Sequence, residues 1–163
     1  MSIGSVAAVK TEFIVEPGKQ TVVIKRTFDA PRDRVFKLVG NPKLLPLYMG
    51  PRDLTTRVDR WDFRRGGSWR FVQRDAQGKE YAFHGVFHDV AAPERYVDTF
   101  EYEGMPGHVS LVINRFNDID GKTEMITTQV FESVDERDGM VASGMERGVR
   151  DSDARLAELL AKG

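Results

Sequence analysis

The chain has 163 residues, 40% hydrophobic and 30% charged, which fits one globular domain burying roughly 70% of the surface its unfolded form exposes. Its 24 Lys and Arg against 25 Asp and Glu leave a formal net charge of -1, so no global field draws it to nucleic acid or anionic lipid, and neither partner is expected. With no cysteine and only 3 histidines, disulfide frameworks, thiolate nucleophiles, iron–sulfur clusters and cysteine-based zinc sites are excluded, and no metal or cofactor is expected.

Residues 1–10 carry no basic start and no apolar run of signal-peptide length, and they read as a flexible N-terminus. Residues 11–163 show no repeat, linker or membrane-length apolar stretch and read as a single domain, with a cytoplasmic location expected. Thr21 to Phe28 alternates, with Val22, Ile24 and Phe28 on one side, and predicts a half-buried strand paired with Glu12 to Glu16 through the Pro17-Gly18 turn. Asp29 as N-cap and Pro31 in the first turn predict a short helix to Val39 with Val35, Phe36 and Leu38 on its apolar face. The prolines and glycines between Gly40 and Pro51 leave Leu44 to Met49 room for one further helical turn.

From Leu54 to Phe131 the period is two. Turn sequences at Arg65-Gly66-Gly67, Asp75 to Gly78, Ala92-Pro93-Glu94, Glu103 to Gly107 and Asp118 to Gly121 divide it into a meander of six antiparallel strands. Of the 10 Phe, 4 Tyr and 2 Trp, most recur there at alternating positions: Trp61 and Phe63, Trp69 and Phe71, Tyr81, Phe83 and Phe87, then Tyr96, Phe100 and Tyr102. One sheet face is therefore expected to be carpeted with rings. Val141, Met145, Val149, Leu156 and Leu160 form a stripe that predicts one long helix from Asp135 to Ala161, with Gly144 and Gly148 beside it marking a close backbone approach. This order implies an α+β helix-grip fold: a curved antiparallel sheet of about six or seven strands, two short helices, and one long C-terminal helix packed over a cavity.

Several pieces carry a resemblance: Arg26-Thr27-Phe28-Asp29-Ala30-Pro31 leading into Val35-Phe36, then Gly50-Pro51, Phe63 to Phe71 with Arg65-Gly66-Gly67, Tyr81 to Val90, Pro93-Glu94-Arg95, and Ser143-Gly144-Met145-Glu146-Arg147-Gly148 through Leu159-Leu160. In this order they resemble the heat-shock-protein-90 ATPase-activator-homologue-like family of the START/Bet-v-1-like (SRPBCC) superfamily, over roughly residues 20–161. The resemblance implies a helix-grip fold with a cavity between sheet and long helix, without implying one activity. Superfamily relatives bind lipids, hormones or polyketides, and a minority catalyse cyclisation or dehydration. The chain departs from the family pattern at Tyr48-Met49, where a Trp pair is usual, and at Val149, where an aromatic is usual, so its cavity would be lined differently.

Candidate chemistry is sparse. His84 and His88 on one strand would stand about 13 Å apart, too far to share an ion, and their parity sends them away from the rings. His108 follows a flexible turn and reads as a rim residue able to act as a base. Arg26 shares the inward parity of Val22, Ile24 and Phe28 and calls for a carboxylate, sought on a neighbouring strand; Asp59, Asp98 and Arg115 raise the same question. Arg57, Arg60, Arg64, Arg65 and Arg70 interleave with Trp61 and Trp69, but alternation separates the two sets and Asp53, Asp59 and Asp62 dilute the charge.

The expected function is binding of a small hydrophobic molecule between the ring-lined face and the C-terminal helix, with Trp61, Trp69, Phe71, Phe83, Phe100, Tyr102, Met125, Met145 and Val149 as walls and Phe36, Leu47, Tyr48 and Met49 as lid. Recognition would rest on burial, with the Tyr48 or Tyr102 hydroxyl orienting a polar end. No catalytic residue is assigned, and a binding protein is preferred to an enzyme. The alternatives are a polyketide cyclase or dehydratase using acid–base residues of the same cavity, and a module acting on a chaperone ATPase. A homodimer and a chaperone partner remain open.

Overall fold

In the computed structural model, which describes residues 9–163, β1 (Glu12–Ile14) turns at Pro17-Gly18 and pairs antiparallel with β2 (Thr21–Phe28), Phe13 opposite Ile24. Helices α1 (Arg32–Val39) and α2 (Leu45–Tyr48) follow, then a run of six strands: β3 (Thr55–Trp61), β4 (Ser68–Arg74), β5 (Glu80–Ala91), β6 (Arg95–Tyr102), β7 (Val109–Ile119) and β8 (Lys122–Val130). All pairings are antiparallel, in the order β1-β2-β8-β7-β6-β5-β4-β3, so β2 closes onto β8 and the meander curls round to β3. The sheet has eight strands where six or seven were expected, because both arms of the N-terminal hairpin join its edge.

Two register shifts, between Val58 and Arg60 and between Phe87 and Asp89, each insert one residue into the ladder. Because of the extra residue, Val58 and Trp61 pack on the same side although three positions apart, as do Phe87 and Val90. Such bulges also increase local twist, which bends the sheet around the helices.

Helix α1 differs in detail from the sequence reading. Pro31, with φ -64 and ψ 150, occupies the N-cap position, and no side chain caps the helix; Asp29 lies two residues too early. The expected single C-terminal helix is two, α3 (Val134–Ala142) and α4 (Met145–Ala161). Ser133 Oγ caps α3 by accepting from Glu136 N at 3.0 Å. The break falls at Gly144, whose φ of +94 lies in the left-handed region that favours glycine. Gly148 is also not a point of close backbone approach, since an added Cβ there would meet only Pro51, at an ordinary 3.5 Å. The apolar stripe nevertheless runs across the break. Val141, Met145 and Val149 pack against Val22, Ile24 and Phe131, and Leu156 and Leu160 join Phe28, Val35, Phe36, Leu45, Phe116 and Met125.

A third apolar cluster, built on Trp69, Phe71 and Phe87, lies on β4 and β5. Full burial of rings such as Phe28, Phe87 and Phe116 is worth about 2–3 kcal/mol each. Of the N-terminal segment expected to be flexible, residues 1–8 lie outside the described residues, and Val9 packs against the core.

The two helix glycines give opposite expectations. Gly144→Ala should destabilise by about 1–2 kcal/mol, because a side chain is strained at this backbone geometry. Gly148→Ala should stabilise by about 0.5–1 kcal/mol, since the helix gains a better former without a clash. Urea denaturation midpoints of the two variants check this, and equal shifts of the same sign would show the αL break to be wrong.

Candidate functional site

Strand pairing fixes which side chains face the helices. Across the middle of the sheet, Ile24 lies opposite Thr127, Thr127 opposite Asn114, and Asn114 opposite Tyr96; one step along, Val22, Gln129, Val112, Asp98 and Phe87 form a second row. The inner face is thus not a uniform carpet of rings. Its β3–β6 half is aromatic, whereas β7 and β8 present Ser110, Asn114, Thr127 and Gln129, all buried. The sequence signal for this is in β8, where Thr123, Met125, Thr127 and Gln129 share one parity.

Arg26 is the centre of the polar half. Its Nε lies 3.2 Å from Asp153 Oδ1 on α4, its Nη1 donates to Thr127 Oγ1 at 2.8 Å, and both side chains of the ion pair are at least nine-tenths buried. The carboxylate it needs therefore comes from the long helix and not from a neighbouring strand. Thr11 Oγ1 donates to Asp153 Oδ2 and Thr127 Oγ1 to Asn114 Oδ1, both at 2.8 Å. Burial pushes the Asp153 carboxyl above its usual range, against the pull of Arg26 and Thr11. Arg150 Nη1 adds a bond to the Thr11 carbonyl at 2.9 Å.

Asp98 is the polar group of the aromatic half. Its Oδ1 and the Trp69 Nε1 are both buried without a full hydrogen bond among the described residues. The Trp69 N–H lies beside the carboxyl and favours its charged form, but burial outweighs it and holds Asp98 well above the ordinary carboxylate range. The glycine at position 85 makes this possible, since a Cβ there would come within 2.8 Å of Trp69 Nε1. Tyr96, next inward on the same strand, is likewise strongly desolvated. Yet Asp98 and Tyr96 are both only half-buried by surface, as are Phe83, Phe100 and Val112 around them.

The expected wall and lid residues divide among these environments. Trp69, Phe71, Phe83 and Phe100 come together, with Trp61 and Met49 packed alongside. Phe36 and Met125 are buried in the core beneath the helices, and Met145 and Val149 stand across the sheet beside Val22 and Ile24. Leu47 is 52% exposed. The Tyr48 hydroxyl donates to the Val39 carbonyl at 3.0 Å and burial pushes its pKa up, so it is already committed; Trp61 Nε1 likewise donates to the Gly40 carbonyl at 2.9 Å. Tyr102 stacks at 5.2 Å from Phe83 and lies over Gly104.

The other titratable groups singled out in the sequence lie on the outer face or at the rim. His84 sits between Glu101 and Glu103, and Glu103 is held near about 2 by Arg70 and His84. His88 is exposed at the second bulge. Arg57, Arg64, Arg65 and Arg70 all face carboxylates, namely Asp59 and Glu80, Asp62, Asp89, and Glu103 with Asp59, which leaves no free basic stripe in that cluster. Arg115 is exposed. His108 Nδ1 lies 2.5 Å from Glu136 Oε1, with Glu132 beside them, so it is engaged at the start of α3 and exposed. Two hollows open on the surface. One, of about 430 Å³, is lined by Arg60, Arg70, His84, Glu101 and Glu103; the other, of about 620 Å³, by Phe36, Gly40, Pro42, Phe63 and Pro93. Neither is lined by α4, where the binding space was expected.

The family model described as Activator of Hsp90 ATPase homolog 1-like protein matches residues 29–161. A crystal structure of a protein from Mycobacterium smegmatis superposes with a TM-score of 0.84 at 21% identity, covering 93% of this chain and 96% of the other. One from Rhodobacter sphaeroides gives 0.85 at 22%, covering 93% and 100%, and the AHSA1 protein of Silicibacter pomeroyi gives 0.72 at 24%, covering 86% and 97%. Likeness at these identities concerns the fold. No functionally curated protein matches the chain.

Two measurements check the site. Arg26→Met should cost about 3–5 kcal/mol by stranding Asp153, whereas Arg26→Met with Asp153→Leu should recover most of that in denaturant titrations; an equal loss in the double variant would deny the pair its buried character. By NMR, His108 should titrate above the ordinary 6.5, and Glu136→Gln should bring it back down. Because the folded value is raised, the stabilisation is complete below the unfolded pKa and lost as pH rises through the folded one. A His108 that titrates alike in both proteins would remove the pair.

Proposed function

We propose that this chain, which belongs to the Activator of Hsp90 ATPase homolog 1-like protein family, binds a small lipophilic ligand in the space between its sheet and α4. The helix-grip fold is consistent with a ligand-binding domain. The observation that carries the proposal is the state of Asp98 and Tyr96. Both are desolvated as deeply placed groups are, yet both retain accessible surface, as do Phe83, Phe100 and Val112 beside them. Groups of this kind are what an enclosed space between sheet and helix would leave along its wall.

The separation of the core supports the same reading. Two apolar clusters are continuous through Met49, Val58, Trp61, Phe63, Val90 and Tyr96, and the polar side chains of β7 and β8 lie between the ring-rich one and the cluster on β2. Those polar side chains bond to one another and meet α4 through Arg26 and Asp153, so the strip is not part of an apolar contact with the helix. The walls would be Trp69, Phe71, Phe83 and Phe100 on one side and Met145 and Val149 on the other.

Acid–base catalysis is the second reading, and Asp98 is the observation that favours it, since burial raises its carboxyl well above the ordinary range, where it can exchange a proton with a bound substrate. A module acting on a chaperone ATPase, as the family name suggests, is the remaining alternative. No helix among them is long and apolar enough to cross a membrane, and the proposal keeps the protein in the cytoplasm.

Native mass spectrometry of protein purified from its own host should show a co-purifying small molecule. Nile red should gain fluorescence with the stripped protein and lose it with Val149→Trp, which fills the space from the helix side. Apo mass alone, together with no Nile red response in the wild type, would dismiss the ligand.

A further inference from the structure

The aromatic half of the inner face has a specific shape. Trp69 and Phe71 lie 5.2 Å apart, Phe71 and Phe83 5.2 Å, Phe83 and Phe100 5.3 Å, and Phe100 and Trp69 6.0 Å, so the four rings close a circuit. Their planes differ by only 15° to 36° between neighbours, so the rings lean face against face as offset stacks and not edge to face. Trp69 and Phe71 are buried, whereas Phe83 and Phe100 keep accessible surface. Asp98 follows Phe100 inward along β6, directly opposite Phe87.

Among the described residues the carboxyl beside these rings has no cation. Arg26 is committed to Asp153 and Thr127, and Arg95 lies beside Asp89. The groups that favour the charged form of Asp98 are the Trp69 N–H and its own backbone N–H. Its Oδ1 is turned into the protein, while the side chain as a whole retains accessible surface. A desolvated carboxyl with donors on one side and free space on the other lacks a positive charge on the free side.

We propose that the site takes a lipophilic amine, whose ammonium group pairs with Asp98 while its apolar body lies against Phe83 and Phe100, the two rings of the circuit that keep accessible surface. The proposal rests on the cavity reading above and names its ligand class. Asp98 supplies the counter-charge, and Trp69, admitted by Gly85, fixes its orientation. An anionic ligand would bring a second negative group to a place with no cation to receive it.

Three probes of one shape separate the possibilities: 2-(aminomethyl)naphthalene, which is cationic at pH 7, 2-(hydroxymethyl)naphthalene, which is neutral, and 2-naphthoate, which is anionic. Titration calorimetry on the full chain should give affinity for the amine about tenfold above the alcohol, with the naphthoate weakest. In Asp98→Asn, which keeps shape and volume, amine and alcohol should bind equally. The Trp69 indole N–H resonance should move on amine binding while that of Trp61, bonded to the Gly40 carbonyl, stays in place. Equal binding of amine and alcohol by the wild type would overturn the amine and leave a lipophilic ligand standing. Naphthoate binding tightest would reverse its sign. Binding of none of the three would overturn this proposal and count against the cavity as well.

Discussion

The structure depends on one buried ion pair. Arg26, in the middle of β2, and Asp153, in the middle of α4, are the point where sheet and long helix meet through charge. Such a pair contributes little net stability, because desolvating both ions offsets most of their attraction, but it is costly to misplace. A helix that slid by one turn would leave an arginine and an aspartate buried apart. The pair thus sets the register of α4, and Thr11, Thr127 and Asn114 extend that constraint to the N-terminal segment, β8 and β7.

The same constraint explains why the interior is divided. A charged and amide-lined strip along β7 and β8 cannot be covered by an apolar helix face, so the apolar surface of the helices is used elsewhere. Leu156 and Leu160 pack beneath α1 and α2, and Met145 and Val149 pack against the β2 edge. What remains facing β4–β6 is a floor of rings without an equally large apolar roof from α4. The bulges near Asp59 and His88 complete the arrangement by turning Val58, Trp61, Phe87 and Val90 to the same side.

Much of this was legible in the sequence. Period-two alternation with five turn signals gives the meander, and the Val22-Ile24-Arg26-Phe28 parity correctly predicts an inward arginine in need of a carboxylate. Its partner was not legible, since Asp153 is 127 positions away on a helix whose rotation about its axis depends on the fold. The break at Gly144 was missed because the apolar stripe continues across it; a glycine can either break a helix or merely weaken it, and only the backbone angle distinguishes these. Asp98 stood out by parity, but its distinguishing feature is that nothing pairs with it, which is a property of all its neighbours together. The lid was read too broadly for a similar reason. Tyr48 and Trp61 look like ligand contacts until their polar atoms are seen bonded to the Val39 and Gly40 carbonyls.

The contrast between the two faces of the sheet bears on how binding couples to stability. On the outer face many charges pair, Glu103 with both Arg70 and His84, and exposure makes each pair cheap to form and cheap to lose. On the inner face Asp153 is matched and Asp98 is not, and an unmatched buried polar group costs about 1–3 kcal/mol. A ligand that supplies the missing partner therefore recovers a cost already carried by the empty fold, and its binding energy appears as added stability of the folded chain. The unmatched carboxyl is thus the point at which occupancy and folding are linked, while the Arg26–Asp153 pair fixes the helix against the sheet whether or not that point is filled.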